Sequence, residues 1–425
     1  MPKIAATPRK SPRRAGAAAP RRASRAAPPK PRIGLALAGG GPLAAVYEIG
    51  ALAALEEAVE GLDLNDAKIY VGVSAGGIIA AGLANGVTPH QMCRLFIESD
   101  VDAVDGAILF KPETLLRPAL KEFGKRMSAA PGLFASALFH YVSRRGTLAA
   151  SFERLKELLP AGFFSGDAIG DFLAATFSQA GRSNDFRKLR RKLVIVATDL
   201  DTGKAVRFGT PGWDSMPISV AVQASSAVPG LFPPVEVDGH HFVDGALRKT
   251  MHASIALEEG VDLLLCVNPI VPYNARFQEG ARKLANGGLL DVLSQTLRSI
   301  LHSRLETGLA SYQISHPEVD IVLFQPSEDD AELFFTNIFS YNNRRRMCEQ
   351  AYQNTRLMLW EQRDTLGPKL ARHGMRLKLS VLSDTSLSLV SQKPARKATT
   401  RLDNVLNDLE RYLKVAHGHS THGSF

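Results

Sequence analysis

Short runs of uninterrupted apolar residues recur along the chain, separated by longer stretches with helical spacing. The runs at 33–38, 69–73, 193–197, 263–267 and 321–324 lack polar alternation, the pattern of strands buried on both faces. After the first run, Val46, Ile49, Leu52, Leu55 and Val59 recur at helical intervals and predict a helix over 44–59. Another helix-forming run begins directly after residue 74. Strands alternating with helices predict an α/β domain whose consecutive strands pair in parallel. A turn at Asp201-Thr202-Gly203 returns 205–208 as a hairpin partner of the strand before it.

Residues 220–228 predict a helix of small side chains ended at Pro229, able to approach a sheet closely. Residues 240–246 give a strand end that carries Asp244 into a glycine turn. A long amphipathic helix is expected over 280–312, its stripe of Leu289, Val292, Leu293, Leu297, Ile300 and Leu301 facing the core. Further helices are expected over 344–364 and 400–416. Between 89 and 185 no strong strand is predicted, only helices and loops broken at Pro112, Pro118, Pro131 and Pro160. There is no internal repeat.

Composition changes this picture at one end only. A chain of 425 residues with 45% hydrophobic and 22% charged residues is that of a globular protein with a large core. The net charge of +9 is misleading, because residues 1–32 hold ten Lys or Arg and no acid, leaving the rest near −1. Residues 1–31 are Ala, Pro, Lys and Arg, cannot bury a core and are expected to be disordered. Two readings of this tail stand: a solubilising leader, or a patch for an anionic membrane or nucleic acid. Without interleaved aromatic residues, nucleic acid is the weaker partner.

Cys93, Cys266 and Cys348 are isolated in sequence, which supports neither a disulfide framework nor a zinc site. No apolar stretch reaches the length of a membrane span, and the N-terminus has no apolar core of a secretory signal. The expectation is a cytoplasmic protein whose membrane contact, if any, is peripheral.

Candidate chemistry begins at Gly72-Val73-Ser74-Ala75-Gly76, between a strand and a helix. In that context G-x-S-x-G forms a nucleophile elbow, with Ser74 at a helix N-terminus that favours developing negative charge. Gly72 and Gly76 permit the tight turn and close packing. Gly39-Gly40-Gly41 likewise follows a strand and opens a helix, offering bare backbone N–H groups to an anion. The spacing fails for a dinucleotide site, and the Gly-Lys-Ser/Thr of a P-loop is absent. An oxyanion hole for Ser74 fits better, since consecutive β-α turns open at the same sheet edge. Phe134, Leu138, Phe139, Tyr141 and Val142 form a local apolar cluster. The 89–185 stretch therefore reads either as a helical cap over the serine or as ordinary helical packing. Asp244, taken alone, reads as a turn residue, because Asp-Gly is a common turn pair.

Taken together, Gly39-Gly40-Gly41, Gly72-Val73-Ser74-Ala75-Gly76, the run from Ala224 to Pro234 and Asp244-Gly245-Ala246 resemble the patatin-like phospholipase family. The stretch from Ala197 to Gly203 is also similar to that family, and the resemblance covers about 32–250. It implies a three-layer α/β/α sandwich with a mainly parallel sheet. It also implies a Ser–Asp dyad that hydrolyses acyl esters of lipids with no metal or other cofactor. By the same resemblance Ser74 is the nucleophile, Asp244 the base, and Gly39, Gly40 and Gly41 the oxyanion hole. The family usually continues its glycine loop as G-G-G-x-[K/R]-G, whereas Pro42, Leu43 and Ala44 follow here. The change bears on phospholipid preference more than on hydrolysis.

The expected organisation is a basic tail over 1–31, a catalytic domain over 32–330 with 89–185 inserted, and a helical extension over 331–425. The expected partner is a lipid or phospholipid acyl ester, with peripheral contact to anionic membrane through the tail. Two rivals stand beside this. One is a Ser–Asp–His esterase using His252, His302 or His316; the other is a catalytically silent lipid-binding protein. The terminal His417, His419 and His422 read as a metal-binding tract or a disordered end.

Overall fold

The computed structural model describes residues 30–98, 161–274, 284–328 and 341–390. The expectations for the basic tail, the apolar cluster at 134–142, the helix at 400–416 and the terminal histidines lie outside these residues. So does most of the inserted 89–185 stretch.

Strand β1 (Ile33–Leu37) runs through the glycine loop into α1 (Gly41–Ala58), which ends at the short β2 (Val59–Glu60). Strand β3 (Ile69–Val73) turns at Ser74 into α2 (Ala75–Ala84), followed by α3 (Pro89–Met92). Next come α4 (Asp167–Phe177), β4 (Lys192–Asp199), β5 (Ala205–Phe208), α5 (Ile218–Ser225), β6 (Val235–Val237) and β7 (His240–Asp244). Then follow α6 (Ser254–Glu258), β8 (Leu263–Val267), α7 (Leu289–Ser315) and β9 (Asp320–Phe324). The described chain closes with α8 (Tyr341–Glu361), α9 (Arg363–Arg372), β10 (Arg376–Leu377) and α10 (Leu379–Ser383). Strands β2 and β10 form a small antiparallel pair.

Eight of the described strands form one sheet in the order β6-β7-β4-β3-β1-β8-β9, with β5 also paired to β4. Neighbours from β4 to β9 are parallel, while β5 and β7 run antiparallel to β4. The apolar runs follow from this placement, because β1, β3 and β8 are buried along their whole length. Alternate side chains enter two cores. Leu35, Leu37, Tyr70, Leu193, Ile195 and Leu265 meet α1, α2, α4, α5 and α8 on one face. Ala36, Val71, Val73, Val194, Val196 and Cys266 meet α6 and α7 on the other. The result is a three-layer α/β/α sandwich with a mostly parallel sheet.

One expectation needs correction. Along α7, Val292, Leu293, Leu297 and Ile300 are exposed, and the row that enters the core is Leu301 and Leu305. The helix carries apolar residues on two faces, and spacing alone does not tell which face meets the sheet. The cysteines, far apart in sequence, are all buried, and the Cys348 thiol hydrogen-bonds that of Cys93. That contact lies where Gly50 of α1 rests against Cys348, Ala351 and Tyr352 of α8.

Glu48 on α1 is fully buried, and neither carboxyl oxygen has a hydrogen-bond partner among the described residues. Burial pushes its pKa well above the usual carboxylate range. The nearby Ala38 N–H, already donated to the Val267 carbonyl at 3.1 Å, opposes this without cancelling it. A carboxyl that resists ionisation only in the folded state stabilises fully below its unfolded pKa, and that contribution is lost as pH rises through the folded value. Replacing Glu48 with Met, of similar length and no charge, is expected to raise stability by about 1–3 kcal/mol at neutral pH. Urea denaturation of both proteins should show the gap widening from acid to alkaline pH.

Candidate active site

Strand register brings the candidate residues to one sheet edge. Val73 of β3 pairs with Val196 of β4, and Asp244 of β7 pairs with the next residue, Ala197. Leu37 of β1 pairs with Gly72 of β3, which sets Gly39 beside Ser74. A Cβ added at Gly39 would stand 3.1 Å from the Ser74 Cβ and 3.4 Å from that of Ala246. Three segments distant in sequence thus meet around one hydroxyl.

Ser74 occupies a strained turn, with φ 52° and ψ −122°, and is 2% exposed. The strain is held by packing and by hydrogen bonds. Its N–H donates to the Ser225 hydroxyl at 2.8 Å, and that hydroxyl donates to the Val196 carbonyl at 2.6 Å. Helix α2 lies directly over the strand ends. A side chain at Gly76 would sit 2.6 Å from the Leu37 and Ala38 carbonyl oxygens, and one at Gly72 2.6 Å from the Gly77 Cα. Both positions admit no side chain.

Asp244 is buried at the end of β7. Its N–H donates to the Ala227 carbonyl at 3.0 Å, and its own carbonyl accepts from the Thr198 hydroxyl at 3.1 Å. The carboxylate accepts the Ala246 N–H at 2.8 Å and the Ser74 hydroxyl. Burial raises its pKa from 3.8 to about 6, against the opposing pull of those two donors. A carboxylate in that range titrates near neutrality and can exchange a proton with a hydroxyl it touches.

The glycine loop divides its duties. The Gly39 N–H donates to the Thr250 carbonyl at 3.4 Å, and Thr250 is itself anchored by its hydroxyl to the Leu301 carbonyl of α7 at 2.9 Å. Gly40 and Gly41 adopt φ of 142° and 71° as α1 begins. Among the described residues, the N–H groups of Gly40, Gly41 and Ala75 have no hydrogen-bond acceptor. The sequence treats the three glycines alike; only the fold commits Gly39 to another partner. Pro42 stands in the first turn of α1, where its missing N–H costs nothing.

Two pockets flank this loop. One has Ser74 in a wall of Ile49, Ile78, Phe96, Phe172 and Phe232, with Arg344 of α8 as the single charged residue among the described residues that line it. Its cavity volume is about 130 Å³. The other is lined by Gly40, Gly41, Leu43 and Asp244, with Leu297 and Arg298 of α7. Leu43, where the family this sequence resembles carries a basic residue, adds to the apolar wall, and Arg298 is the one cation among the described residues that line it. Arg298 donates to the Val271 carbonyl at 3.3 Å, and burial lowers its pKa. Among the described residues, neither pocket wall contains a histidine. His252 is buried with its Nε2 at 3.3 Å from the Gly245 carbonyl, and burial lowers its pKa to about 4. His302 lies 3.4 Å from Glu306 and His316 3.4 Å from Glu318.

Sequence reasoning missed the supporting groups. Ser225 is visible only as part of a small-residue run, and Thr250 and Arg298 carry no signal, because each acts through a contact distant in sequence.

A family model described as patatin-like phospholipase matches residues 35–257. Among solved structures, VipD from Legionella pneumophila is similar, with 15% identity, 79% of this chain and 67% of that chain covered, and a TM-score of 0.35. The type III effector protein ExoU is similar with 18% identity, 77% of this chain and 52% of that chain covered, and a TM-score of 0.32.

Proposed function

The chain belongs to the patatin-like phospholipase family, whose activity is the hydrolysis of lipid acyl esters, and we propose that it does so with Ser74 and Asp244. The single observation that carries this reading is the contact of the Ser74 hydroxyl with the buried Asp244 carboxylate, beside the unengaged amides of Gly40 and Gly41. Ser74 Oγ attacks the ester carbonyl as its proton passes to Asp244. The oxyanion of the tetrahedral intermediate accepts hydrogen bonds from the Gly40 and Gly41 amides, assisted by Ala75 at the start of α2. One such donor contributes on the order of 3 kcal/mol, or 10²–10³ in rate. This matters here because a carboxylate is a weak base toward an alcohol.

Protonated Asp244 then gives its proton to the departing alcohol, leaving an acyl-enzyme. Water, deprotonated by Asp244, attacks that ester and releases the fatty acid and Ser74. The apolar pocket at Ser74 accepts the acyl chain, since its wall offers large hydrophobic side chains and one cation.

The experiment is a panel of acyl esters and phospholipids run on the full chain, alongside labelling by a fluorophosphonate. Release of fatty acid and a covalent adduct on the peptide carrying Ser74 are the expected results. A protein that binds lipid but takes no label and releases no acid would instead be the silent binder.

A further inference from the structure

Helix α7 presents an apolar row to solvent beside the pocket that holds Asp244. Leu293, Leu297 and Ile300 recur at i, i+4 and i+7 and are 53%, 45% and 50% exposed. Arg304 continues the same row one turn further and is also exposed. The neighbouring row, Leu301 and Leu305, is buried against the sheet. Single exposed leucines are ordinary, but a row of large apolar side chains on one helix marks an interaction face.

Three observations select the partner. The row is continuous with the candidate active site, because Leu297 lines the same pocket as Gly40, Gly41 and Asp244. The pocket rim extends it, with Leu231 48% and Leu247 39% exposed. Cations gather at its edge. Arg304 donates to the Leu247 carbonyl at 3.1 Å, and Arg248 and Lys249, next in the chain, are exposed. An apolar helix face bordered by basic side chains suits an anionic lipid surface, with apolar groups below the headgroups and cations among them.

We propose that this face of α7 seats the protein on an anionic lipid surface, so that lipid enters the Asp244 pocket directly from the membrane. The loading step rests on the hydrolase reading; the docking face does not.

The test uses the full chain carrying Ser74→Ala, so that binding is read without turnover. Sedimentation is measured with vesicles of phosphatidylcholine alone and with added phosphatidylglycerol. The comparison variant adds Leu293→Asp and Ile300→Asp, exposed positions that line neither pocket. The parent is expected to partition onto phosphatidylglycerol vesicles, and the variant to lose roughly tenfold or more of that partitioning. On an active background the same two changes should leave hydrolysis of a water-soluble short-chain ester within about twofold, which also reports the fold. Arg304→Glu is expected to weaken binding to phosphatidylglycerol vesicles more than to phosphatidylcholine. Equal partitioning of parent and variant overturns the proposal. So does a dimer of the parent that the variant splits without any loss of vesicle binding, which would assign the face to a second copy. If the parent binds vesicles but the chain with Ser74 restored releases no fatty acid from them, the hydrolase reading fails and the docking face stands.

Discussion

Alanine at position 74 is expected to abolish ester hydrolysis while leaving the fold intact. The strained backbone at 74 is held by the Ser225 hydroxyl, which binds the residue 74 amide whatever side chain stands there. Alanine keeps that amide and the small volume that the Gly39 and Ala246 contacts require. The loss should be on the order of 10⁴-fold or more in kcat, the scale seen when a hydrolase loses its nucleophile. Circular dichroism and denaturation midpoint should match the parent, and fluorophosphonate labelling should vanish. Residual hydrolysis within about tenfold of the parent would assign the chemistry to another group.

The second large effect concerns Asp244. As the proposed base, Asp244 must be ionised to take the Ser74 proton, so kcat/KM should rise with pH around 6, the pKa to which burial lifts this carboxyl. Asp244→Asn should remove that dependence and lower the rate by about 10²–10⁴, the usual contribution of a positioned base. His302→Ala should keep both the rate and the acid limb, whereas a Ser–Asp–His mechanism through His302 would lose them. Stability moves the other way. Since the folded pKa lies above the unfolded value, the carboxyl's stabilising contribution is complete below about pH 4 and is lost as pH rises through about 6. Asp244→Asn should therefore be more stable than the parent at pH 8, by at most about 3 kcal/mol. A rate that is flat with pH, or an Asn variant less stable at pH 8 than at pH 5 relative to the parent, would contradict this assignment. The ionised form that the reaction needs is the form that burial disfavours.

The elements that sequence reads well are those whose cause is local. Apolar runs without alternation predict β1, β3, β4, β8 and β9 because parallel strands are covered on both faces. The tight strand-to-helix turn at Ser74 is legible because it admits no side chain at 72 or 76. Elements with few local cues went unseen, among them β6, the β2–β10 pair and the short α6. Asp244 shows the opposite limit. Asp-Gly pairs are common in turns, and nothing near residue 244 in sequence tells that β7 will align it one residue beyond Val73 across β4.

Helix α7 was read with the right period and the wrong face, because the choice between two apolar rows depends on what the helix packs against. Cys93, which follows α3, meets Cys348 of α8 for the same reason.

By itself, then, the amino-acid order determined the kinds of element, their alternation, the strained serine turn and the family. Tertiary structure alone decided which amides remain unengaged and how far burial raises the pKa of Asp244. It also decided which side of α7 faces water. The division has one physical cause. Backbone propensity and residue spacing act over a few positions, whereas desolvation and hydrogen-bond competition arise only once distant segments are packed together.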